Sequence, residues 1–335
     1  MVATAMKMTI RVRAARVKVD AGRSRDVRWA RPNHVRRPAP GKPRPRCAPP
    51  AASTVPTPAT AAPSSSSSSP PQAPPATLPP PAVFKAACNM SATKAVYSFD
   101  KTLVLGFLAG ALIGIGGLLS SVVSGSSPGL AQANPGLASF VKGAIGLPAG
   151  LSMVILTGGE LFTGNVFIMI SGLLSGRVTA TDLSKNWFWS FLGNFAGSVF
   201  VAGMAFLAAT TASEALTAAV TKAAVSKVSA PFVTLFARGV LCNWLVCLAV
   251  WMAMASSSVA GKILSVFVPI STFVTLGFEH SVANMFLITQ GIFAGADISI
   301  KQFLLGNMVP VTLGNVAGSA IFVAAAYWWA YGKNS

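Results

Sequence analysis

The chain has 335 residues, of which 53% are hydrophobic and only 10% are charged, and its mean hydropathy is +0.61. About a quarter of the residues in an average soluble domain are charged, so this composition excludes an ordinary soluble enzyme and indicates a membrane protein. The net charge of +18 is concentrated in residues 1–50, which hold 14 of the 26 basic residues. Residues 81–335 carry 12 scattered basic residues against six acidic ones, which argues against a nucleic-acid partner.

The first 94 residues have a composition unlike the rest of the chain. Residues 1–50 are rich in Arg, poor in acids and free of a continuous apolar stretch, which is typical of an organelle transit peptide rather than a secretory signal. A basic arm that binds nucleic acid is the alternative. Residues 51–94 are dominated by Ala, Pro and Ser, so we expect a disordered linker there.

Six apolar segments follow, and two of them are too long for one straight crossing, which needs about 20 residues. The second contains the polar sequence GGELFTGNVF at 158–167, and the fifth contains GFEHSVANMF at 277–286. Non-helical backbone at membrane depth is stable only where it lines a cavity or is buried in protein. The segments are 103–123, 140–174, 186–209, 232–256, 263–295 and 302–330.

The two polar sequences belong to an internal repeat. They align at an offset of 119 residues, and the stretch from Asn186 to Ser198 aligns with Asn307 to Ser319 at an offset of 121. Three spans in each half give the halves opposite orientations, and paired broken helices place a permeation site at the midplane. We therefore predict an all-α membrane protein of aquaporin-like architecture. Its six transmembrane helices form two inverted three-helix repeats, with the second and fifth spans broken mid-membrane.

Ionisable residues in the breaks are the first candidates for function, because such groups are costly inside a membrane. His280 can donate a hydrogen bond to an anion or carry a proton, since the reference pKa of His is about 6.5. The alternative is a neutral ring that only holds the loop. Glu160 and Glu279 would repel an anion, so we expect them to accept backbone N–H groups that the breaks leave unpaired.

Four stretches resemble the formate/nitrite transporter family. They are ILTGGELFTG at 155–164, GVLCNWLVCL at 239–248, the second break at 277–286, and NMVPVTLGN at 307–315. The resemblance covers the membrane domain, taken as 95–335, and implies a homopentamer in which each monomer has its own pore. Together with the N-terminal segment, the sequence is similar to the algal chloroplast branch of the family. This resemblance implies a chloroplast transit peptide over 1–50 and a place in the chloroplast envelope, in its inner membrane.

The resemblance also implies roles for polar residues. His280 faces the pore between two apolar constrictions, Asn284 orients its ring, and Thr163 hydrogen-bonds the ring or the ion. Asn243 and Asn315 match pore amides, which donate N–H groups to an anion without carrying charge. For all except His280, a hydrogen bond that packs helices together is the alternative.

Further positions match the constrictions and the pore mouth. Lys227 matches a lysine that draws anions into a vestibule, and an ordinary loop lysine is the alternative. The apolar positions that match the constrictions are Leu147, Leu151, Leu161 and Phe273.

These features predict a transporter or channel for a small monovalent anion, with nitrite first and formate as the mechanistic model. In one transport mechanism His280 protonates the anion, directly or through water. In the other, the anion crosses in its charged form. A bicarbonate channel is the alternative. A membrane enzyme using Glu279 and His280 is remote, because the sequence offers no nucleophile, metal-ligand set or cofactor motif. We accordingly expect no catalytic residue, cofactor or metal.

Overall fold

The computed structural model describes residues 77–333, which are largely helical and include no β-strand within that range. The predicted transit peptide and residues 51–76 of the predicted linker lie outside the described residues. In chain order the helices are α1 (Pro80–Ala95), α2 (Phe99–Gly125), α3 (Pro128–Ala133), α4 (Pro135–Thr157), α5 (Phe162–Leu174), α6 (Ala180–Leu207), α7 (Glu214–Ser229), α8 (Phe232–Ala255), α9 (Val259–Thr275), α10 (Ser281–Phe293) and α11 (Gln302–Gly332).

Helix α1 corrects the expected linker over 51–94, which is wrong from Pro80 onward. Pro80 occupies the first turn, where the missing N–H costs no helical hydrogen bond. Val83, Phe84 and Ala87 are buried against α5, α8 and the end of α11, which supplies the packing that a 16-residue helix needs. The Ala- and Pro-rich composition concealed this helical spacing.

The remaining helices form two similar halves. Helix α2 packs along α6 in the first half, and α8 packs along α11 in the second. The helices that precede the two breaks, α4 and α9, lie against each other and are called the arms below. Helices α1 and α7, each of 16 residues, precede the first long helix of their half, so the repeat includes one more helix than the sequence predicted.

Both breaks have the same backbone geometry. Helix α4 ends at Gly158 with φ +74°, and α9 is followed by Gly277 with φ +71°. A residue with a side chain is strained in this left-handed region, so glycine suits both turns. The chain then continues as α5 and α10, which start five and six residues, respectively, after the preceding arms end.

Five described helices are long and apolar enough to cross a membrane, namely α2, α4, α6, α8 and α11. The shorter apolar helices are α5, α9 and α10. These observations confirm the predicted all-α fold with interrupted segments. A count of six crossings requires α4 to continue into α5 and α9 into α10, and it stays a prediction.

Candidate functional site

A narrow apolar cavity lies at the centre, and we call it the neck. Its volume is about 10 Å³, which is about the least that a single water molecule needs. His280 supplies its polar group, and the four predicted constriction residues all border it. The lining residues are Ile113, Leu147, Leu151, Leu161, Val246, Ile270, Phe273 and His280.

Two larger cavities share lining residues with the neck. The Glu279 vestibule, of about 290 Å³, is bordered by Leu147, Phe273 and His280. The Glu160 vestibule, of about 600 Å³, is bordered by Leu151 and Leu161. The neck therefore lies between the two vestibules, with one pair of predicted constriction residues on each side of it. The structure brings together all four residues and His280.

Two hydrogen bonds hold the ring of His280 in the neck. His280 is the N-cap of α10, and its Nδ1 accepts the backbone N–H of Ala283 at 3.0 Å. Its Nε2 lies 2.9 Å from Thr163 Oγ1. Because a backbone N–H can only donate, Nδ1 carries no proton, and the ring is neutral with its hydrogen on Nε2. The ring also stacks on Phe273, with 6.0 Å between centroids.

Buried asparagines, rather than glutamates, satisfy the backbone of the two breaks. In the second half, Asn315 Nδ2 donates to the carbonyls of Gly239 and Glu279, both at 2.9 Å, and its Oδ1 accepts Ser281 N–H at 2.9 Å. In the first half, Asn194 makes the same set of bonds with equivalent backbone groups, namely the carbonyls of Gly106 and Glu160 and the N–H of Phe162.

This arrangement corrects the prediction that Asn243 and Asn315 are pore amides. Both N–H groups of Asn315 are already bound, as are those of Asn243, which donates to the carbonyls of Thr163 at 3.2 Å and Asn315 at 2.8 Å. The Oδ1 of Asn243 has no partner among the described residues, but an acceptor does not attract an anion. Neither side chain borders the neck or either vestibule.

The glutamates bind side chains instead of backbone N–H groups, which corrects their expected role. Glu279 Oε2 accepts Lys227 Nζ at 2.9 Å and Asn284 Nδ2 at 2.6 Å. Asn284 also donates to Asn307 Oδ1 at 3.0 Å, and the ring nitrogens of His280 bind Ala283 and Thr163, so Asn284 does not orient the ring through a hydrogen bond. Lys227 borders the Glu279 vestibule as half of an ion pair.

The other vestibule contains the equivalent cluster. Glu160 binds Lys94 as an ion pair and accepts Asn165 Nδ2 at 2.8 Å and Asn186 Nδ2 at 3.1 Å. Sequence reasoning missed Lys94, which it placed in the linker, and it assigned no role to Asn165 or Asn194. The missed signal was the repeat itself, because Lys94 precedes Lys227 by 133 residues, the same offset that separates Gly106 from Gly239.

A helical fold with a narrow apolar neck between two polar vestibules defines a membrane channel or transporter for small solutes. Residues 81–329 match the family model described as formate/nitrite transporter. The chain belongs to the formate/nitrite transporter family, a family of multi-pass membrane channels and transporters rather than enzymes.

Relatives and solved structures agree with this assignment. A probable formate transporter of Methanothermobacter thermautotrophicus is 46% identical over 273 residues, which cover 76% of this chain and 97% of the relative. An FNT family ion channel superposes with a TM-score of 0.68 at 30% identity, covering 74% of this chain and 98% of that one. A pentameric formate channel with formate bound gives a TM-score of 0.61 at 32% identity, covering 70% and 97%.

Proposed function

We propose that the protein transports a small monovalent anion of a weak acid, of the formate or nitrite type, and that the solute crosses the neck as the neutral acid. The observation that supports this most directly is the neck itself. One neutral imidazole lies in an otherwise apolar cavity of about 10 Å³, between two vestibules that each contain lysine.

The physical argument is desolvation. An unpaired charge in an apolar medium costs many kcal/mol, and in practice an ionisable group neutralises there instead. Transfer from a vestibule into the neck therefore raises the pKa of the conjugate acid of the solute and favours uptake of a proton. Formate and nitrite are bases that can take up that proton, whereas a strong-acid anion such as chloride cannot.

The hydrogen bonding of His280 makes it a donor of a hydrogen bond rather than of a proton. Its ring carries one proton, on Nε2, because Nδ1 accepts Ala283 N–H. Direct transfer of the Nε2 proton would leave an imidazolate anion in an apolar cavity. We therefore assign proton delivery to water in the vestibule and revise the expectation that the ring supplies it. The Nε2–H group then exchanges its hydrogen bond with Thr163 for one with an oxygen of the passing acid.

The substrate and assembly proposals draw support from the relatives. Because these include a probable formate transporter and a pentameric formate channel, we propose formate as the first substrate to test and a homopentamer as the assembly. Nitrite was the first choice from the sequence, and bicarbonate was its alternative. We also propose a chloroplast envelope location, supported by the Arg-rich, acid-poor composition of residues 1–50.

The test is flux in liposomes that contain the purified full chain, with formate, nitrite and bicarbonate compared in one preparation. We expect formate and nitrite uptake to alkalinise the outside without net current. The matched variant is His280→Asn, whose side-chain oxygen can still cap α10. Loss of the Nε2–H bond should lower flux about 2- to 10-fold, since a hydrogen bond between neutral groups contributes about 0.5–1.5 kcal/mol.

Two results would contradict this proposal. A steady anion current without proton movement would mean that the charged form crosses the neck. Wild-type flux and proton coupling in a correctly assembled His280→Asn variant would mean that the ring only supports the loop. Size-exclusion chromatography of both proteins in detergent shows whether assembly is equal.

A further inference from the structure

Each vestibule contains a second lysine, and that lysine comes from the opposite half of the molecule. Lys142, near the start of α4, borders the Glu279 vestibule, and Lys262, near the start of α9, borders the Glu160 vestibule. Lys142 precedes Glu160 by 18 residues, and Lys262 precedes Glu279 by 17. Each arm therefore carries a lysine in one vestibule and leads to the glutamate of the other.

These two lysines differ from Lys94 and Lys227 in their partners. Lys94 and Lys227 form ion pairs with Glu160 and Glu279, whereas Lys142 forms none with any residue of 77–333, and the same holds for Lys262. The ammonium group of Lys142 is half-buried and interacts electrostatically with both members of the Lys227–Glu279 pair. The vestibule thus holds one neutralised lysine and one lysine with a free charge.

An anion meets these two kinds of lysine differently. Glu279 already binds Lys227 at 2.9 Å and Asn284 at 2.6 Å, so an anion at Lys227 has to compete with a carboxylate fixed beside it. A neutral pair also has a weak field at a distance. Lys142 imposes neither penalty. Arg238 also borders this vestibule, but it is exposed, so water screens its charge more than that of the half-buried Lys142. Anion attraction in the vestibule therefore falls mainly to Lys142.

We propose that Lys142 and Lys262 are the groups that receive the anion in the two vestibules, and that Lys94 and Lys227 neutralise the buried glutamates beside the breaks. This inference rests on the proposed transport of a small anion. Lys142 lies five residues before Leu147 on α4, which is about 7.5 Å along the axis at 1.5 Å per residue. An anion held there is close to the neck but still in contact with vestibule water, where it can take up its proton.

The test uses charge-removing variants of the full chain in vesicles of both orientations, right-side-out and inside-out, prepared from expressing cells. Lys142→Gln and Lys262→Gln remove the charge but keep a polar side chain of similar length. Lys222→Gln is the matched control, because Lys222 is exposed on α7 and borders neither vestibule. Initial rates of formate uptake are measured against formate concentration at equal pH on both sides.

We expect a side-specific effect on half-saturation. Lys142→Gln should raise the half-saturating formate concentration about fivefold or more, but only in the orientation that presents the Glu279 vestibule. Lys262→Gln should do so only in the other orientation. A single charge contact near 4 Å in a wet site is worth a factor of this order, and added salt should reduce the shift. Lys142→Arg, which keeps the positive charge, should retain the wild-type half-saturating concentration.

Microscopic reversibility provides an internal check. At low formate concentration a passive path has the same permeability in both directions. Each variant must therefore change the initial slope of uptake rate against formate concentration equally in both orientations, even where its half-saturating concentration changes in only one. If both Gln variants match Lys222→Gln while the wild type transports formate, the inference is wrong and the proposed function stands. A shift produced by Lys227→Gln instead would overturn it in favour of the paired lysine. If wild-type vesicles take up neither formate nor nitrite, the proposed function fails and this inference fails with it.

Discussion

Replacing Asn315 by Ala should destabilise the protein and leave its apparent affinity for the anion unchanged. The side chain makes three hydrogen bonds of 2.9 Å, and it is fully buried. Removing it leaves Ser281 N–H and the Glu279 carbonyl without their partner inside the break. An unsatisfied buried group costs about 1–3 kcal/mol, so the two together should cost about 2–6 kcal/mol.

Thermal unfolding of the purified protein in detergent, followed by loss of the assembled species, measures this cost. For chains of this size, 1 kcal/mol corresponds to about 2–4 °C, so we expect the midpoint to fall by roughly 10 °C. Asn194→Ala should give a similar loss, because Asn194 makes the equivalent bonds in the other half. Thr312→Ala is the control on the same helix, since its buried hydroxyl has no described partner and little should be lost.

A different outcome would refute this reasoning. If Asn315 donated hydrogen bonds to the anion, Asn315→Ala would raise the half-saturating formate concentration while keeping the wild-type melting temperature. A midpoint within about 2 °C of wild type, together with such a shift in half-saturation, would restore the pore-amide prediction made from the sequence.

Two further predictions concern the N-terminal part of the chain. Lys94→Gln should destabilise the protein by about 3–5 kcal/mol, because it leaves Glu160 buried without its cation. Adding Glu160→Gln should recover most of that loss in the same thermal assay. Equal melting temperatures of Lys94→Gln and the wild type would count against a stabilising ion pair. Residues 1–90 fused to a fluorescent protein should direct it to the chloroplast of an algal cell, and diffuse cytosolic fluorescence would exclude the transit-peptide interpretation.

The elements that the sequence predicted well depend on local signals. The apolar segments, the breaks near 160 and 280 and the repeat follow from hydropathy, glycine position and the two offsets near 120 residues. Gly158 and Gly277 do adopt the left-handed backbone that interrupts a helix. His280 was a candidate because it is ionisable and lies in a break, whereas Leu147, Leu151, Leu161 and Phe273 were carried over from the family resemblance. The fold brings all five to one cavity.

The hydrogen-bond partners of the buried polar residues could not be predicted in the same way, because they depend on three-dimensional contacts between distant segments. An asparagine in an apolar helix has the same local signal whether it faces a pore or clamps a neighbouring backbone. Asn243 and Asn315 were misassigned for this reason. Lys94 was missed for a different one, since α1 has few apolar residues and gains its stability only from packing on α5 and its neighbours.

The two halves share the residues around their breaks but differ at the neck. This difference distinguishes residues that stabilise the fold from residues that act on the solute. Lysine, glutamate and asparagine recur at equivalent positions around both breaks, as in Lys94 with Glu160 and Lys227 with Glu279. At the neck the equivalence ends, because the position that corresponds to His280 is Leu161, 119 residues earlier.

Thr163, which contacts the ring, likewise corresponds to Val282 in the second half. A duplicated residue serves a need that both breaks have, which is to hold interrupted backbone inside a membrane protein. A residue without a counterpart serves a need that arises once along the path. Substitutions of the duplicated residues should therefore come in pairs with similar stability costs. Substitutions of His280 or Thr163 should change transport more than stability, and no equivalent change exists in the other half.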